Sequence, residues 1–367
     1  MRAFFQAHKK LHIWLLTDVL LLVAFLAARH QRAWMNALAD HVTTPFKTAL
    51  GRLWGAVPFS VMEVLYTLAG LAAVAYIIWS IVAVVWACGR RGRRAYGAVL
   101  GAACAGGTVY LIFCLLWGVN YWTDGFQDKS GIHEAAVSTR ELTAVTAWFA
   151  ENLSETADTV ARDENGLFAV SRQEIFSHYG EVYDGAEALF PFLAFEDQPP
   201  KAMFYSKFMS AMNFTGVYCP FTGETNLNVD APACLLPATV AHELAHQRSI
   251  ASEQECNFLA VLASTTSGNP VYAYSGWLMG YIHLSNALYE ADREAWRTIR
   301  NSLPETVLTD LTDNNAYWAQ YKGAASVAGQ KVYDTVLKAY GDADGIRSYG
   351  TVVDLLTVYY RDAALAQ

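Results

Sequence analysis

Residues 60–88 read SVMEVLYTLAGLAAVAYIIWSIVAVVWAC, and Glu63 is the only charged side chain in the run. A helix rises about 1.5 Å per residue, so about 20 apolar residues cross the hydrocarbon core of a bilayer. This run is long enough with residues to spare. Working outward, a second such run covers 96–117 (YGAVLGAACAGGTVYLIFCLLW), and an earlier one covers 11–28 (LHIWLLTDVLLLVAFLAA). The earliest run is the shortest and contains Asp18. With Lys9 and Lys10 before it and AFLAARH at its end, it also reads as a cleaved signal peptide. Two further spans follow closely, which favours an uncleaved first span. Asp18 and Glu63 are costly in lipid, so both should face other helices or water.

Composition agrees with membrane insertion. The 367 residues are 54% hydrophobic and only 16% charged, where soluble domains average about 25% charged residues. The net charge of −8 hides a split. Residues 1–118 carry 11 Lys/Arg against 3 Asp/Glu, a balance of +8, and residues 119–367 carry 15 against 31, a balance of −16. The acidic part excludes nucleic acid as an expected partner, because phosphate binding needs clustered cations. The densest basic cluster, Arg90 to Arg94 around Gly92, lies between the second and third spans. Cytoplasmic loops hold the excess of Lys and Arg. That loop is therefore expected inside, together with the N-terminus, and everything after Trp117 outside. Arg29, Arg32, Lys47 and Arg52 in the loop between the first two spans pull the other way.

The expected fold is mostly α. Three transmembrane helices occupy 1–118, and a mainly helical extracytoplasmic domain occupies 119–367. Ser138 and Glu141 form a capping box opening a helix that runs to about Ala161. Further helical patterns cover 172–190, 236–248, 253–266, 272–301, 306–322, 324–341 and 348–365. Between 202 and 234 the Gly, Pro and Asn content with short alternating runs suggests turns and one or two short strands. Cys219 and Cys234 could pair in an oxidising compartment; free buried thiols are the other reading.

The chemistry sits in ATVAHELAHQRSIASEQECNF, residues 238–258. His242 and His246 are one turn apart on one helix face and can reach the same metal ion. Glu243, beside the first histidine, can touch a metal-bound water and take its proton, the arrangement of zinc peptidases. HExxH arises by chance in about one chain of this length in a hundred, so it needs context. Here the helix is otherwise apolar, and the two His and the Glu are its polar exceptions.

A catalytic zinc takes a third protein ligand and keeps an open position. On an unbroken helix Glu253 would lie about 10 Å beyond His246, too far to share the ion. The chain must turn, and RSIAS supplies the turn. Ser252 is a candidate N-cap with Glu255 at the capping-box position. In that reading Glu255 reaches back to the Ser252 amide and Glu253 is left for the metal, with Asn257 one turn later supporting a ligand. Glu255 as the ligand is the competing assignment.

HELAHQ followed by EQECNF resembles the gluzincin pattern. More specifically, YCPFTGETNLNVDAPACLLPATVAHELAHQRSIASEQECNFLA (218–260), with LLWGVNY (115–121) and DGIRSYGTVVDLLTVYY (344–360), resembles an uncharacterised family of bacterial membrane proteins carrying a zinc-metallopeptidase-like domain of unknown function. The chain departs from the expected pattern at Ser249, where Gly is expected, and at Cys256, where Ala is expected. The resemblance implies a zincin-like domain in the bacterial cytoplasmic membrane. It also implies zinc as cofactor and a peptide or protein substrate outside the cytoplasm.

In zincins the strand before the metal helix lies along the cleft. Asn226 and Asn228 alternate with Leu227 and Val229 as an edge strand would, and are candidates for holding an extended peptide. Tyr274, Tyr281 and His283 on the following helix are candidate electrophiles for a tetrahedral intermediate. The expected function is zinc-dependent peptide hydrolysis with Glu243 as general base. The alternative is a zinc-binding, non-proteolytic membrane protein, either a peptide-binding pseudo-enzyme or an envelope assembly factor.

Overall fold

The computed structural model describes residues 2–339 and 349–366. Residues 340–341 and 348, at the ends of two expected helices, and 344–348 of the C-terminal motif lie outside the described residues. The chain divides into two compact units. The first comprises 1–47, 61–123 and 220–222, and the second comprises 48–60, 124–219 and 223–367. The second unit thus takes in a stretch of the loop between spans that a cut at residue 118 assigns to the membrane part.

In the first unit, α1 (Lys9–Ala28), α3 (Val61–Trp86) and α4 (Arg91–Leu116) are each long and apolar enough to cross a membrane. The helix α2 (Thr44–Gly55) precedes α3. Asp18 is buried on α1, where it accepts the Thr108 hydroxyl at 2.8 Å, and Thr108 accepts the Trp14 indole N–H at 2.8 Å. The acid is thus turned toward α4. Glu63 is likewise buried.

The second unit is mostly helical around one small sheet. Helix α5 (Thr139–Thr156) opens on the expected box: the Ser138 side chain accepts the Glu141 amide and Glu141 accepts the Ser138 amide at 2.9 Å. The strands are β1 (Lys201–Ala202), β2 (Gly216–Cys219) and β3 (Glu224–Leu227), with the short helix α6 (Ser206–Ala211) between β1 and β2. Their order is β1-β3-β2, with β1 parallel and β2 antiparallel to β3. The remaining helices used below are α7 (Leu236–Gln247), α8 (Glu253–Thr266), α9 (Pro270–Ala291), α10 (Glu305–Ala319) and α11 (Tyr349–Leu365).

Two expected helices are interrupted. The stretch 172–190 breaks into short turns of helix. The stretch 272–301 breaks at Asp292, whose carboxylate caps a new helix by accepting the Glu294 and Ala295 amides. The core joins α5, α9 and α11 through Phe149, Trp277 and Tyr360, whose rings meet edge to face or tilted. All six cysteines are free thiols.

Candidate metal centre

Helix α7 is buried along its whole length except at His242, which is half-buried. Such a helix needs polar anchors, and Gln247 supplies them. Its amide accepts the Gln198 N–H at 2.8 Å and donates to the Gln198 carbonyl at 3.0 Å and to the Thr225 hydroxyl at 2.9 Å. The last turn of α7 is therefore pinned to the edge of the sheet region.

The chain then reverses. Ser249 adopts a left-handed φ of 67°, the position where glycine was expected. Arg248 clamps this turn. Its buried guanidinium pairs with Asp197 through two bonds, with Glu187 at 2.9 Å and with the Leu193 carbonyl at 2.9 Å, and it stacks 3.6 Å over the Tyr183 ring. Ser252 caps α8 by accepting the Glu255 amide at 3.4 Å. Glu253 is thereby the first helical residue and faces back to α7. One of its carboxylate oxygens lies 3.2 Å from His242 Nε2 and the other 3.4 Å from His246 Nε2. These ligand atoms all lie within 4.8 Å of one another, and the three side chains could hold a metal ion.

The imidazole of His246 is oriented from behind. Its Nδ1 lies 2.8 Å from the Ile250 carbonyl and 3.3 Å from the Cys256 thiol. A carbonyl can only accept, so Nδ1 carries a proton, and Nε2 is the nitrogen turned toward Glu253. Burial opposes charge on both Glu253 and His246 but is outweighed, at Glu253 by the two histidines and at His246 by Cys256 and Glu253. The carboxyl is held well below its usual range and the imidazole well above.

Glu243 is 3% exposed, and its Oε2 has no hydrogen-bond partner among the described residues. It lies against the backbone of β2, where a Cβ on Gly216 would fall 2.4 Å from Glu243 Oε1. Burial, resisted by the two histidines, pushes its carboxyl above the usual range.

A match over residues 40–357 covers most of the chain, including α3, α4 and every side chain of the centre. The chain belongs to the DUF3810 family, described as proteins of unknown function. No curated protein and no solved structure matches it.

Within this DUF3810 chain the other predicted residues fall in different places. Glu255 does not meet the cluster, nor does it reach back to Ser252. Its two oxygens accept the Phe126 and Gln127 amides at 2.9 Å each. Free N–H groups opening the short helix Phe126–Ser130 are a better partner for a carboxylate than one local cap. Asn257 is half-buried and makes no side-chain hydrogen bond among the described residues, so the group behind His246 is the Ile250 carbonyl. Tyr274 is a core residue that donates to Asp310 and stacks on Phe168. Tyr281 is buried in the same core. His283 is within electrostatic reach of His242; burial first, and His242 second, push its imidazole down to about 4.

Asn226 and Asn228 are not on an edge. β3 is the central strand, and both side chains are buried. Asn226 accepts the Ser60 hydroxyl at 2.6 Å, and Asn228 donates to Ser210 at 2.8 Å and to the Phe214 carbonyl at 3.0 Å. The alternation was real, but two neighbouring strands flank it where one was expected. Arg248 and Gly216 were missed. The lone Arg directly after α7 was a visible signal for the first; nothing in the spacing pointed to the second.

Proposed function

We propose that this chain is a membrane-anchored zinc peptidase, with His242, His246 and Glu253 holding the metal and Glu243 acting as general base. The observation that carries the reading is the convergence of those three ligand groups beside a buried carboxylate with an unsatisfied oxygen. Ligands set tetrahedrally at about 2.0–2.1 Å from zinc stand about 3.3 Å apart, and the His–Glu separations, each to a different carboxylate oxygen, are 3.2 and 3.4 Å. An unsatisfied buried acceptor costs about 1–3 kcal/mol, which a donor such as a water in the site would recover.

Bound zinc would supply the Lewis acidity that brings a water's pKa toward neutrality. Glu243 then accepts the proton of the attacking water, a task suited to a carboxyl whose proton affinity burial has raised. The protonated Glu243 can hand that proton to the departing amine. His283, neutral at pH 7, is the electrophile candidate nearest in effect to the metal ligands. The substrate strand reading moves from Asn226 and Asn228 to β2. Among the described residues β2 pairs on one side only, and its Gly216 abuts Glu243. An extended peptide adding to that edge would pass the base. The Arg90–Arg94 cluster supports an orientation with the second unit outside the cytoplasm.

Metal analysis of the purified chain, with a peptide-library cleavage assay, tests the proposal. One zinc per chain is expected, lost in His242→Ala and His246→Ala. Glu243→Gln should keep the zinc and lose cleavage. If Glu243→Gln cleaves as fast as the native chain, the base is misassigned. A native chain that holds zinc but cleaves nothing is the non-proteolytic alternative.

A further inference from the structure

Residues 201–211 read KAMFYSKFMSA, with two lysines and no acid, inside a region whose balance is strongly acidic. On α6 and the turn before it, Ser206, Met209 and Ser210 point inward and are buried. The outward side carries Phe204 at 88% exposure, Phe208 at 67% and Tyr205 at 43%, with exposed Lys207 among them. Phe204, in the turn before α6, and Phe208, on α6, are both exposed. Three large aromatic side chains displayed together are unusual on a surface that meets only water.

The second unit is joined to a candidate span by the Ser60–Val61 peptide bond. Ser60 belongs to it and donates to Asn226, and Asn226 pairs in register with Lys201. The Lys201 ammonium also donates to the Trp54, Gly55 and Val57 carbonyls. The residue after Ser60 is Val61, the first of α3. By side-chain reach, strand spacing and a three-residue step, Phe204 lies at most about 25 Å from Ser60.

We infer that the Phe204–Phe208 face docks into the headgroup region of the bilayer that α3 crosses. A tyrosine with its polar tip settles at that depth, phenylalanine rings bury at the headgroup–acyl boundary, and a lysine beside them reaches anionic headgroups. The composition of the segment fits a lipid surface, and the tether keeps it within range. This inference rests on α3 being a span and is independent of the metal reading.

The test uses the full chain in lipid nanodiscs containing anionic lipid. A spin label is placed at Phe204→Cys or Phe208→Cys in a Cys88→Ser background, since Cys88 is the exposed cysteine and the other five are buried. Glu164→Cys, on an exposed polar turn, is the reference. Power saturation compares collisions with oxygen, which concentrates in lipid, and with a water-soluble nickel chelate. The ratio of oxygen to nickel accessibility at both aromatic positions is expected to exceed the Glu164 reference several-fold. Ratios equal to the reference put the face in water and overturn the inference. Loss of access to both reagents overturns it too, by showing a protein cover instead of lipid. Both positions are exposed, so the labels leave the core intact.

Discussion

Glu253 and Glu255 stand two residues apart, and their Gln variants should fail in opposite ways. Glu255 accepts two amides, from Phe126 and Gln127, at 2.9 Å each. A glutamine there keeps one acceptor and turns its NH2 toward the other amide. The loss of one charge-assisted bond costs about 1.5–3 kcal/mol. Glu255→Gln should therefore unfold more readily by that amount, yet bind zinc as the native chain does. Glu253 faces both histidines at 3.2 and 3.4 Å. Losing a group that only supports a ligand lowers metal affinity about 10–100-fold, so losing this carboxylate should cost at least that. Bound metal adds stability of its own, about 2.7 kcal/mol when its concentration is a hundred times Kd. The unfolding comparison therefore belongs in chelator, with zinc affinity measured separately by competition with a chromophoric chelator. In chelator Glu253→Gln also loses its pairing with His242 and His246, so the zinc affinities are what separate the two variants. If Glu255→Gln loses zinc while Glu253→Gln retains it, the geometric assignment of the third ligand is wrong.

Three other outcomes are expected. Arg248→Met leaves Asp197 and Glu187 facing each other without their cation, and should cost about 3–5 kcal/mol in chemical unfolding. Gly216→Ala sets a methyl 2.4 Å from Glu243 Oε1; zinc content should hold while peptide cleavage falls at least tenfold, and unchanged cleavage would show that β2 does not border the reacting groups. Reporter fusions after Thr123 should be active only in the extracytoplasmic sense, and fusions at Gly89 only in the cytoplasmic sense; the reverse pattern would invert the orientation.

Much of this molecule is decided by short-range patterns in the chain. The three apolar runs become the helices α1, α3 and α4, each long and apolar enough to cross a membrane, because a helix satisfies its own backbone hydrogen bonds. His242 and His246 share a face because helix geometry places i and i+4 together. Even the turn after His246 was legible, since an unbroken helix would have carried Glu253 away. Tertiary structure decided what local rules leave open. Glu255 was expected to serve Ser252, three residues away, and it serves amides near residue 126 instead, because a carboxylate goes where two free N–H groups converge. β3 alternates like an edge strand, yet β1 pairs on its second side and buries it. The His246 proton is fixed by a carbonyl that reaches it only because Ser249 bends left-handed and Arg248 holds the bend. A spacing rule names the groups that can meet; which of them do meet depends on partners tens of residues away, and those only the folded chain brings into reach.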